Sequence, residues 1–328
     1  AGDALTDADY NTVVGTGALS LDTLGSRSTA LGRSTLAVQN FTTATDAYNV
    51  AVGFNAGVAV TTGVSNTIVG GLAGDALTDA DFNVAIGRSA LTDDTLGSRT
   101  VAIGYNALGT QNFTTATNTY NVAVGYEAGV AVTTGLNNTI VGGLAGDALT
   151  SGDANVAFGY QALTTDTLGS TSTAIGYAAL QNQNFTTASN SLNTAVGYGV
   201  GTGITTGVAN TFLGTQAGIY VTTNSHNVHI GYLAGGHSVT STGEKNVLIG
   251  SLASTSSSTS DKANVIGYNV KGSGGYTTRG ESGDDIRALH GNVTWSTVSD
   301  ERYKKDIADS TLGLSFINAL KPRTFKYK

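Results

Sequence analysis

Ser299 and Lys304 are the pair in this chain whose types and spacing suggest covalent chemistry. A serine hydroxyl is a weak nucleophile until a base takes its proton, and a lysine amine can be that base when burial or nearby cations depress its pKa. Arg302 and Lys305 supply such cations. On spacing alone, a Ser and a Lys five positions apart occur by chance in many chains. His226 and His229 are a second candidate, because three copies of His229 in a trimer could form a ring able to hold a metal. A surface or packed histidine is the commoner use. The acidic turns Asp3 to Asp9 and Asp75 to Asp81 lack the ligand spacing of an EF-hand and read as solvated turns. The rest of the chain shows no cluster of paired carboxylates or of Ser, His and Asp, so neither an external substrate nor a cofactor is expected.

What must position these residues is a repeat. The pentad Asn-x-x-x-Gly occurs as Asn49-Val50-Ala51-Val52-Gly53 and again as Asn121-Val122-Ala123-Val124-Gly125, and its glycine recurs from Gly15 to Gly267. The gaps are mostly about 17 residues, a period that marks a stacked solenoid. Ala1-Gly2-Asp3-Ala4-Leu5 returns at Ala73 and Ala145, so four rungs form one superrepeat, and the chain reads as part of a longer polypeptide that begins in mid-repeat. Within a pentad Val122, Val124 and Tyr126 point one way and Asn121, Ala123 and Gly125 the other, the period of a short strand. The pattern predicts about 15 rungs, each of two short strands and two turns, in a rod on the order of 70 Å long. The asparagines would stack into a hydrogen-bonded ladder with a structural role. The narrow face (Ala51, Ala85, Ala102, Ala123, Ala157, Ala174, Ala195) is expected beside a neighbouring chain, with the Val/Ile/Tyr face inside the coil. The longer gaps, Asn40-Phe41-Thr42-Thr43, Asn112-Phe113-Thr114-Thr115 and Asn184-Phe185-Thr186-Thr187, are expected to bulge outward or cap a seam.

Composition bounds the partners. The 328 residues include 45 Gly, one Pro and no Cys, with 12% charged residues and a net charge of -7. That balance disfavours nucleic acid and anionic membrane surfaces, and leaves neutral or cationic partners, including glycans. Without cysteine, stability rests on burial and backbone pairing. No apolar run approaches the roughly 20 residues of a membrane span. After Gly267, Lys271-Gly272-Ser273-Gly274-Gly275 reads as a hinge. Beyond Ile286 charge rises, Trp295 and Pro322 appear, and apolar residues over 311–320 suggest a short helix that stops before Pro322.

The rung Asn-x-Ala-[Ile/Val]-Gly-Tyr-x-Ala, over residues 1 to about 270, resembles the head repeats of trimeric autotransporter adhesins. The resemblance implies three chains, each winding a left-handed parallel β-roll around a common axis. A second stretch, Trp295-Ser296-Thr297-Val298-Ser299-Asp300-Glu301-Arg302-Tyr303-Lys304-Lys305-Asp306-Ile307 with Gly313 to Tyr327, is similar to the start of the intramolecular chaperone of phage tail fibres and endosialidases. That resemblance implies a domain that continues past Lys328, drives trimerisation and then cuts itself off. Ser299 would be the nucleophile, Lys304 the base and the bond to Asp300 the cleavage point.

The combined expectation is an all-β, trimeric parallel β-solenoid. Its divisions are a repeat shaft over 1–270, a Gly-rich connector over 271–294 and a chaperone stub over 295–328. It would serve as a phage tail fibre of the virion, binding a host-surface glycan or protein receptor and joining other tail proteins through an N-terminal region. The rival reading is a bacterial trimeric surface adhesin.

Overall fold

The structure is a computed structural model that describes residues 1–236, 243–292, 294 and 296–297. The pentads form short strands, from Thr12–Val14 to Asn264–Tyr268, stacked in parallel with each glycine column in register. They belong to one 18-stranded sheet, parallel throughout except at its last two pairings. About 16 turns of coil result, and at about 4.8 Å per turn they span about 75 Å.

The glycine of the pentad is required by close approach. Gly104 has φ +134, and a Cβ there would sit 2.2 Å from the carbonyl oxygen of Gly125 in the next turn. Three other positions per turn also bend left-handed, as Tyr48 (φ 51), Asn55 (φ 54) and Leu108 (φ 50) illustrate. Sharp winding is therefore shared among several residues that take up mild strain.

The alternation within each strand is as expected, but the faces are reversed. Ala51, Ala85, Ala102, Ala123, Ala157, Ala174 and Ala195 are fully buried inside the coil, whereas Val50 and Val52 lie on its outside. The reason is volume. Beside Ala85, Ala102, Ala157 and Ala174 the turn sends Leu91, Leu108, Leu163 or Leu180 inward. Ala51, Ala123 and Ala195 share their turns with Gly57, Gly129 and Gly201, and the space there is filled from the adjacent turns by Leu36 and Ile68, Leu108 and Ile140, or Leu180 and Phe212, so that the strand has room only for a methyl. Where the strand carries Ile68, Ile140, Phe212 or His229, the turn carries Gly74, Gly146, Gly218 or Gly235. A Cβ on Gly218 would meet the Phe212 ring at 2.7 Å, and one on Gly235 would meet His229 at 2.2 Å.

Two further expectations change. A second strand does not occur in every rung; it appears as two-residue pairings such as Gly25–Ser26 with Thr45–Asp46 and Gly97–Ser98 with Thr117–Asn118. The long gaps fold partly inward: Phe41, Phe113 and Phe185 are buried, while the following Thr-Thr-Ala residues are exposed. Where the sequence reads as a hinge, Lys271–Gly272 pairs in parallel with Ser254–Thr255. Tyr276–Glu281 then joins the long sheet in parallel, and Asp284–Leu289 folds back on it antiparallel through Ser282 and Gly283, both left-handed. The helix expected over 311–320 lies outside the described residues. Among the described residues no helix is long and apolar enough to cross a membrane.

Candidate functional site

The outward side of the long sheet is the largest unsatisfied feature of the molecule. Each pentad strand except the last, which has Asn264, presents two β-branched or apolar residues there, flanked by one residue before the asparagine and one after the glycine, as in Tyr48, Val50, Val52 and Phe54. Apart from Leu21, Val38, Tyr220, Ile286 and Leu289, every exposed large hydrophobic side chain among the described residues lies on this face. The flanking rings form ladders up the coil. Tyr105 stacks on Tyr126 at 5.4 Å, and Tyr177 stacks on both Tyr160 and Tyr198 at 5.7 and 5.1 Å. Arg88 lies over Tyr105 and Arg33 over Phe54, while on the other flank Arg99 lies over Phe82 and Arg27 over Tyr10. A face about 75 Å long on which apolar side chains recur at nearly every turn is the kind of exposed patch that marks an interaction surface.

Behind this face runs the asparagine ladder. Its usual step joins side chain to backbone: Asn66 N donates to Asn49 Oδ1 at 2.9 Å, and Asn49 Nδ2 donates to the Gly63 carbonyl at 2.7 Å. Once per superrepeat a shorter residue, Ser28, Thr100 or Ser172, takes the asparagine position. The gap is filled by a buried group that the sequence reading missed. Gln111 Nε2 donates to Asp94 Oδ2 (2.6 Å) and to Thr100 Oγ1 (3.1 Å), and Gln111 Oε1 accepts from Asn121 Nδ2 (2.8 Å). Asp94 Oδ1 accepts the backbone N–H groups of Gly97 and Phe113. Burial pushes the Asp94 carboxyl above its ordinary value, against the hydrogen bonds from Gln111, Phe113 and Gly97 that hold it down. The same trio recurs as Asp22, Ser28, Gln39 and as Asp166, Ser172, Gln183. Its signal was legible: Asp six residues before the substituted asparagine and Gln eleven after it, three times over. Nothing in the group faces solvent, so its work is to carry the ladder through the long turn.

His229 stands on the inner side of the coil and is buried, against the Phe212 ring at 5.3 Å, with Nδ1 unpaired. It is the packed histidine that the sequence favours over a metal ligand. His226 lies exposed on the flank. Among the described residues no three His, Cys, Asp or Glu side chains converge on a metal position. In the acidic turn, Asp81 Oδ1 accepts from Val64 N and Asp79 Oδ1 from Thr62 Oγ1, linking adjacent turns.

Burial lowers the His229 pKa from 6.5 to about 3. A folded pKa below the unfolded one means stability that is present above about pH 6.5 and is lost as pH falls toward 3. The expected loss is about 1.4 kcal/mol per pH unit within that window. His229→Leu should abolish this acid-linked weakening, read as amide hydrogen exchange of Val228 to Gly231 at pH 7 and pH 5 in variant and parent. Equal pH sensitivity in both would contradict it.

Ser299, Asp300 and Lys304, with Arg302 and Lys305, lie outside the described residues. The family described as Chaperone of endosialidase matches residues 299–328, beginning at the candidate nucleophile itself. No curated protein and no solved structure matches the chain.

Proposed function

We propose that this chain is the shaft of a homotrimeric phage tail fibre that contacts a host-surface glycan or protein, with its end belonging to a self-cleaving chaperone. A fibre needs reach and stiffness, which a parallel coil of about 16 turns supplies. The observation that carries the reading is the pairing of that coil with a chaperone-of-endosialidase segment at residues 299–328. The exposed Val/Ile faces are where three chains meet, the reverse of the assignment made from bulk alone. Trimerisation removes from water the apolar surface that a single coil leaves exposed. The chaperone match favours this reading over a bacterial surface adhesin.

Native mass spectrometry should find three chains of 33.1 kDa together; a stable monomer would sink the trimer. In a longer precursor, Lys304 takes the hydroxyl proton of Ser299, the oxygen attacks the Ser299 carbonyl of a neighbouring chain, the Asp300 amine leaves with that proton as the peptide bond breaks, and water then hydrolyses the ester. Denaturing gels should show two pieces for the parent and one for Ser299→Ala or Lys304→Ala. A single undivided parent band, under conditions where trimers form, would refute self-cleavage and leave the shaft intact.

A further inference from the structure

The two flanks of the apolar face carry separate ladders. Before the asparagine stand Tyr10, Tyr48, Phe82, Tyr120 and Leu192; after the glycine stand Phe54, Tyr105, Tyr126, Tyr160, Tyr177 and Tyr198. Every ring stack and every cation–ring contact on this face runs along one ladder, and none of them joins the two among the described residues. These side chains stay about half exposed, Tyr120 and Tyr126 each at 55%. Each ladder therefore has one free side.

We propose that, around the trimer, the ladder before the asparagine of one chain packs against the ladder after the glycine of the next, closing a head-to-tail ring of three seams. The inference rests on the trimeric reading and adds which surfaces meet. Three like faces turned toward one axis bring unlike flanks together at each corner, because a closed cyclic interface joins two different patches of the same chain. The flanks also match at most heights of the coil, Tyr10 with Thr16, Ala154 with Tyr160 and Thr171 with Tyr177 being those where a ring meets a small residue. Large apolar groups face each other at Tyr48 with Phe54, Tyr120 with Tyr126 and Leu192 with Tyr198. Small residues coincide at Ser65 with Gly71 and Asn137 with Gly143. A cation meets a ring at Arg88 with Phe82, at Arg99 with Tyr105 and at Lys262 with Tyr268. The like pair Arg27 and Arg33 is eased because Asp46 already holds Arg27 at 2.9 Å. Any occupant of both ladders must repeat at the rise of the coil, about 4.8 Å per turn. A second copy in register does so by identity.

The chain has no cysteine, so paired thiols are unambiguous. In Tyr120→Cys/Tyr126→Cys, treated with a short bismaleimide, the expected product on a denaturing gel is a covalent trimer, while each single variant stays monomeric. Leu192→Cys/Tyr198→Cys repeats the test higher in the coil, should the first pair fail to fold. Covalent dimers from a single variant would overturn the proposal, because they require like flanks to meet. So would a double variant that is trimeric by native mass yet forms no crosslink. A parent chain that is monomeric by native mass would instead overturn the trimeric reading beneath it.

Discussion

Asp94→Asn should destabilise the coil by about 2 kcal/mol, although it removes a buried charge and keeps the shape. The hydrogen bonds of the group run in one direction: Asn121 Nδ2 donates to Gln111 Oε1, and Gln111 Nε2 donates to Asp94 Oδ2. Asp94 ends the chain because an ionised carboxylate only accepts. An asparagine there keeps one oxygen for the N–H groups of Gly97 and Phe113, and so must turn its own N–H₂ toward the N–H₂ of Gln111. Flipping Gln111 only moves the conflict to Asn121. Adding Gln111→Glu should recover most of the loss, since the new carboxylate accepts from the introduced asparagine on one side and from Asn121 on the other. The check is a double-mutant cycle on exchange protection of the Gly97 and Phe113 amides, with a coupling of roughly 1–3 kcal/mol. Additive losses in the double variant would mean that direction is irrelevant and that only the buried charge matters.

Gly104→Ala should be among the most damaging single methyls in the shaft, on the order of 4 kcal/mol. Two costs combine: φ +134 is closed to alanine, and the added carbon lies 2.2 Å from the Gly125 carbonyl oxygen, a backbone atom that cannot step aside. Because each turn touches only its neighbours, the damage should be local. Exchange should quicken at the Gly104 amide, which donates to Ile86, and at the Gly125 amide, which donates to Ile103. Gly71→Ala is the matched control, since the nearest atom to its added carbon is 4.0 Å away. If the two variants unfold alike, the glycine column does not owe its place to close approach.

Much of this architecture was readable from the residues. The spacing of the pentads determined a parallel stack and about 15 of its turns, since each returning Asn and Gly must meet its counterpart one turn away; the further parallel strand Tyr276–Glu281 carries no pentad and was read as connector. Alternation in Val122, Ala123 and Val124 likewise determined two unlike faces. It could not label them, because a period of two is unchanged when inside and outside are exchanged. The label depended on the leucines of the turns, Leu36 and Leu108 among them, which fill the interior from the far side and leave the strand room for alanine. The trio of Asp94, Thr100 and Gln111 stayed hidden for a related reason: its members lie up to 17 residues apart and become neighbours only when one turn is laid on the next. For His229 the sequence left packed, surface and ligand roles open with packing or surface the commoner, and its place in the core followed once the narrow face proved to be inner. Local pattern thus determined what repeats. Tertiary packing decided which side of the repeat water sees, because filling a closed coil depends on the summed volume of strand and turn together.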